Sequence, residues 1–74
     1  MITLKIKVAP ETEGVITALP RYGEWELVSE DYEEDGSGVV VVNGHAWDSP
    51  DEVPASVEQA LDTNPGVIEY EYNV

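Results

Sequence analysis

Seven carboxylates stand among the twelve residues from Glu24 to Asp35 (Glu24, Glu26, Glu30, Asp31, Glu33, Glu34 and Asp35), with no base between them. Acids at that density can bind cations, exchange protons in catalysis, or show fixed negative charge to a cationic partner. Proton exchange needs a pocket that separates the pKa values of a carboxylate pair. Alternate residues on an exposed strand, such as Glu24 and Glu26, do not make one. The single histidine, His45, has Asp48 and Glu52 near it in sequence, which would allow a His–carboxylate pair. No nucleophile or second metal ligand stands at a telling spacing, so His45 reads as a turn-flanking or partly buried structural residue. Gly36-Ser37-Gly38 lacks the strand–glycine–helix setting of a phosphate cradle, and the acids around it repel phosphate. The chain is therefore expected to be no enzyme, with no catalytic residue and no cofactor.

Asp31-Tyr32-Glu33-Glu34-Asp35-Gly36 resembles the first half of an EF-hand calcium loop, with acids at positions one, three and five and glycine at six. The second half departs from it. Val42 occupies the place of the bidentate glutamate, so the stretch reads as a solvated hairpin tip and no metal ligand is assigned.

The rest of the chain is acidic too, though less densely. Three Lys and Arg against sixteen Asp and Glu give a net charge of −13 over 74 residues. Self-repulsion of that size opposes compaction, so it calls for a reason or a salty habitat. Nucleic acid and anionic membrane are excluded as direct partners, and a basic protein surface is the natural complement. With 42% of residues apolar and patterned, the chain is not a disordered acidic tail. Its length allows one domain, residues 1–74, with a modest core and no disulfide to staple it. Met1 leads straight into an alternating segment and no apolar run spans a bilayer, so a cytoplasmic protein is expected (of the host cell, if viral).

The acids must be positioned by strands. Ile2, Leu4, Ile6 and Val8 alternate with Thr3, Lys5 and Lys7, the pattern of a half-buried strand. Glu11 to Leu19 allows a short helix, closed by Pro20 and Gly23. From Glu24 a second strand directs Trp25 and Leu27 to one side and Glu24, Glu26 and Glu30 to the other. Asp35-Gly36-Ser37-Gly38 is turn chemistry, and Val39 to Val42 are apolar on both faces, as in a central strand. Asn43-Gly44 reads as a two-residue turn into a short strand at 45–47, or as a bulge that ends the sheet. Ser49-Pro50-Asp51-Glu52 starts a helix, regular from about Glu52, with Val53, Val57, Ala60 and Leu61 as its buried stripe. Asn64-Pro65-Gly66 stops it. A last strand follows from Val67 to Val74, with Ile68, Tyr70, Tyr72 and Val74 on one face.

The expected fold is α+β, a ferredoxin-like β-α-β-β-α-β with an antiparallel sheet and two helices on one face. Val57-Glu58-Gln59-Ala60-Leu61 followed by Pro65-Gly66-Val67-Ile68 resembles the passage from helix to last strand in ferredoxin-like domains, heavy-metal-associated domains among them. The Cys-x-x-Cys of the metal family has no counterpart, so this resemblance implies topology and not activity. In such a sheet the first strand lies beside the last, and Lys5 and Lys7 neutralise Glu69 and Glu71. The acidic arm then sits at the opposite edge without a basic neighbour.

Alternate acids on one strand lie ~6.6 Å apart, and duplex DNA shows a charge every ~1.7 Å of axis, so several files of acid are needed to imitate it. In size, acidity and lack of catalytic motif the chain resembles small inhibitors that phages direct against host defence or transcription, anti-CRISPR proteins among them. That resemblance implies a nucleic-acid mimic covering the basic nucleic-acid-binding surface of a partner. Glu24, Glu26, Glu30, Asp31, Tyr32, Glu33, Glu34 and Asp35 would make the contact. The alternative is a salt-adapted accessory or ligand-binding domain from a halophile, whose acids should spread over every exposed surface. Trp25 reads as core, and Tyr22 and Tyr32, at element ends, as surface contacts.

Overall fold

The computed structural model describes residues 1–10, 19–20 and 24–73. Strand β1 (Ile2–Val8) follows the alternation of its sequence: Ile2, Leu4, Ile6 and Val8 are buried, and Thr3, Lys5 and Lys7 point to the other face. Strand β2 (Trp25–Tyr32) forms an antiparallel hairpin with β3 (Gly38–Gly44), and the sheet closes with β4 (Val67–Asn73). The order across the sheet is β2-β3-β1-β4, and every neighbouring pair is antiparallel. The valine run thus lies between two strands. Val40 and Val42 are buried on the face that carries the core, while Val39 and Val41 are half-buried on the open face.

One α-helix, α1 (Ala55–Thr63), covers part of the core face with Val57 and Leu61 and packs beside β4. It starts later than Glu52 for a steric reason. Val53 precedes Pro54 and takes an extended backbone (φ −69°, ψ 128°), which separates a short 3₁₀ turn, Pro50–Glu52, from the helix proper. Val53 is buried outside the helix. The Glu52 carboxylate accepts the N–H groups of Asp48 (2.6 Å) and Ser49 (3.1 Å) and ties the turn down.

The two-helix, ferredoxin-like β-α-β-β-α-β expectation is corrected here. Among the described residues the regular structure is four antiparallel strands and one nine-residue α-helix, a mostly-β arrangement. The helix expected over Glu11 to Leu19 lies outside the described residues except for Leu19, which is buried in a bend.

Asn43-Gly44 is neither a type I′ turn nor a bulge, and the short strand at 45–47 is absent. They are the last two residues of β3, where Asn43 pairs with Thr3 and Glu26, and Gly44 with Ile2 and Trp25. The turn comes at His45-Ala46, and Trp47 then drops into the core against Trp25, ring centroids 5.0 Å apart. Gly44 is glycine because the two rings close over it: a Cβ there would stand 2.9 Å from each.

Two bulges change which residues share a face. Between Leu27 and Ser29 the register of β2 shifts, leaving Val28 as the extra residue. Leu27 faces the core side with Trp25, as expected. Glu30 does not lie opposite them: beyond the bulge Glu30 and Tyr32 take the core side, paired with Val40 and Gly38, while Ser29 and Asp31 turn to the open face. A second shift in β4 aligns Val67 with Val8 and leaves Ile68 exposed, out of line with Tyr70 and Tyr72. Val74 lies outside the described residues.

Tyr70 and Tyr72 pack against the core, and the Tyr70 hydroxyl donates to Asp62 (3.0 Å). The Tyr72 hydroxyl is buried without a hydrogen-bond partner. Burial first, and then the Glu58 carboxylate, push its pKa from 10.0 up to about 12. Between those two values the native state keeps a proton that the unfolded chain has released, so stability falls as pH rises through the window. Tyr72→Phe should flatten that alkaline loss. At neutral pH it should match or exceed the wild type by ~1 kcal/mol, because an unsatisfied hydroxyl is removed. Urea midpoints of both proteins at neutral and alkaline pH check this.

Candidate partner-binding edge

Among the described residues, strand β2 is one rim of the sheet, with β3 on one side and no strand on the other. The hairpin that carries it is closed tightly. Glu33 N–H donates to Ser37 O (2.7 Å), Gly36 N–H donates to Glu33 O (3.0 Å), and Gly36 occupies the left-handed region at φ 90°. Asp35 accepts the Ser37 hydroxyl (2.6 Å) and N–H (2.9 Å), and these bonds hold its carboxyl below the ordinary carboxylate range. The turn is thus held by hydrogen bonds to an ionised acid. Asp31 belongs to β2 and pairs with Val39 rather than opening a calcium loop.

The eight residues expected to meet a partner divide into three groups. Glu30, Asp31, Glu33, Glu34 and Asp35 are exposed and form no ion pair among the described residues. Tyr32 is exposed beside them, and its hydroxyl donates to Glu30 Oε1 (3.2 Å). The last two stand apart: Glu26 Oε1 lies 3.4 Å from His45 Nε2, and Glu24 is partly buried and engaged by a neighbour. His45 therefore meets Glu26, not Asp48 or Glu52. Asp48 instead accepts the Met1 ammonium at 3.0 Å.

Glu24, Trp25, Glu26, His45 and Ala46 line a shallow groove at this end of the rim. On the opposite rim the expected neutralisation is half present: Lys7 Nζ lies 3.1 Å from Glu69 Oε1, and Lys5 stands across from Glu71 in register.

Leu27 is expected on the core side with Trp25, and the sequence assigns no side to Val28. Both are exposed, 47% and 53%, beside Tyr32 at 52%. The signal for Val28 was present, since Leu27-Val28-Ser29 interrupts the alternation that begins at Trp25. Leu27 carried no such mark: it faces the core side at the rim farthest from β4, beside which α1 packs.

No protein-family model, no curated protein and no solved structure matches this chain. Among the described residues no helix is long and apolar enough to cross a membrane, and no group of three His or acidic side chains converges.

Proposed function

We propose that this chain is a non-enzymatic binding protein that occludes a basic, nucleic-acid-binding surface of a partner protein through β2 and the turn that follows it. The observation that carries the reading is the run of exposed carboxylates at Glu30, Asp31, Glu33, Glu34 and Asp35, none in an ion pair among the described residues. Unscreened charge gathered at one rim speeds encounter with a cationic surface and makes it salt-sensitive. In kind this is the acidic plug of small phage inhibitors, anti-CRISPR proteins among them, working in the cytoplasm of the cell that holds the target.

The test compares wild type with Glu30→Lys/Glu33→Lys/Glu34→Lys, both immobilised, for retention of DNA-binding proteins from a lysate at low salt. All three positions are exposed, so the fold should survive, as circular dichroism will show. Retention should fall about a hundredfold, equivalent to ~2.8 kcal/mol, and duplex DNA should compete with the wild type for the retained proteins. Equal retention by the variant removes the proposal.

A specific observation favours a second reading, salt adaptation: Asp51, Glu58 and Asp62 on the helix side are exposed too and have no ion pair among the described residues. A melt against salt separates the two. A cooperative transition in dilute buffer supports the binding surface, and folding only in molar salt supports habitat.

A further inference from the structure

The charge of β2 is only part of its surface. Five large hydrophobic residues are exposed among the described ones, and three of them, Leu27, Val28 and Tyr32, lie on this strand. A rim that only guards against aggregation carries charge or proline and keeps large apolar groups off it. Here apolar and acidic side chains are interleaved. The bulge at Val28 also places an acid on both faces, Glu26 and Asp31 on the open side and Glu30 on the core side. Alternate N–H and C=O groups of a rim strand point away from its neighbour and await a partner.

We propose that β2 accepts an extended strand from the partner, a segment in which Lys or Arg alternates with aliphatic residues, and that this segment extends the sheet beyond β2. This rests on the binding reading above and names the form that the partner takes. Main-chain hydrogen bonds would supply the docking, Glu26 and Asp31 on the open side would select the basic side chains, and Leu27 and Tyr32 on the core side would receive the aliphatic ones. Charge complementarity chooses this occupant over a second copy of the chain. Two β2 strands side by side would set Glu30 and Asp31 of one against the same acids of the other.

The probe is a capped eight-residue peptide of alternating lysine and valine, compared with the same peptide N-methylated at every internal amide. Methylation keeps charge and aliphatic groups and removes the donors. The unmethylated peptide should bind wild-type protein at low salt, at least about tenfold tighter than the methylated one. Amide hydrogen exchange should slow within β2 and remain unchanged in β4. Equal binding of the two peptides overturns strand addition and leaves the electrostatic reading standing. Binding of neither, while DNA-binding proteins are still retained from lysate, also overturns it. Failure of both peptide and lysate binding removes the two readings together.

Discussion

A Gly44→Val protein should unfold at markedly lower urea, with a loss of about 3 kcal/mol. A Cβ at this position meets Trp25 Cζ3 and Trp47 Cε3 at 2.9 Å, before the two added methyl groups are counted. Neither ring has room to retreat, since Trp25 and Trp47 are 7% and 6% exposed and packed on each other. A 74-residue chain has roughly 4–11 kcal/mol in total at ordinary stability per residue, so the loss takes a large share of it. Tryptophan fluorescence during urea titration reads the transition and the ring environment at once. An unchanged midpoint would show that the paired rings do not close over Gly44.

Leu4→Ala should be comparably severe, at about 3 kcal/mol, within the 2–5 kcal/mol that buried leucine truncations cost. Leu4 has no exposed surface, and it stands on an inner strand with Val42 on one side and Tyr72 on the other. Collapse around the missing methyl groups is resisted by two ladders at once. Leu27→Ala supplies the contrast. At 47% exposure on the rim it should shift stability by no more than ~0.5 kcal/mol. Chemical denaturation of the two variants side by side checks both values, and a Leu27→Ala loss equal to that of Leu4→Ala would place the core elsewhere.

The contrast also shows which parts of this fold could be read in advance. The alternation of Ile2, Leu4, Ile6 and Val8 announced β1 and its buried face, and Val39 to Val42 announced a strand with neighbours on both sides. Pairing of Lys7 with Glu69 followed from placing the first strand beside the last. Register was hidden. A bulge adds one residue: Leu27-Val28-Ser29 breaks the alternation without fixing which side Glu30 takes, and no such break announces the exposure of Ile68. Asn43-Gly44 misled for a different reason. The dipeptide favours a hairpin when its glycine is needed for a left-handed backbone, whereas here the glycine is needed to leave room for two indoles. The second helix was shortened by a steric effect of Pro54 on Val53 that the sequence does contain. Of the binding edge, the acids were legible as composition, while their division between two faces and the apolar company of Leu27 and Val28 depended on the bulge.

Lys5 and Lys7 lie side by side on β1, near the midline of the open face, with Glu69 and Glu71 across one flank and Asp31 and Glu26 across the other. Fixed charge therefore runs acid, base, acid across the width of the sheet, within a molecule whose net charge is −13. A cationic body drawn in by the net charge finds its strongest attraction at the two rims, away from the lysines. Its approach is thereby biased toward the rims.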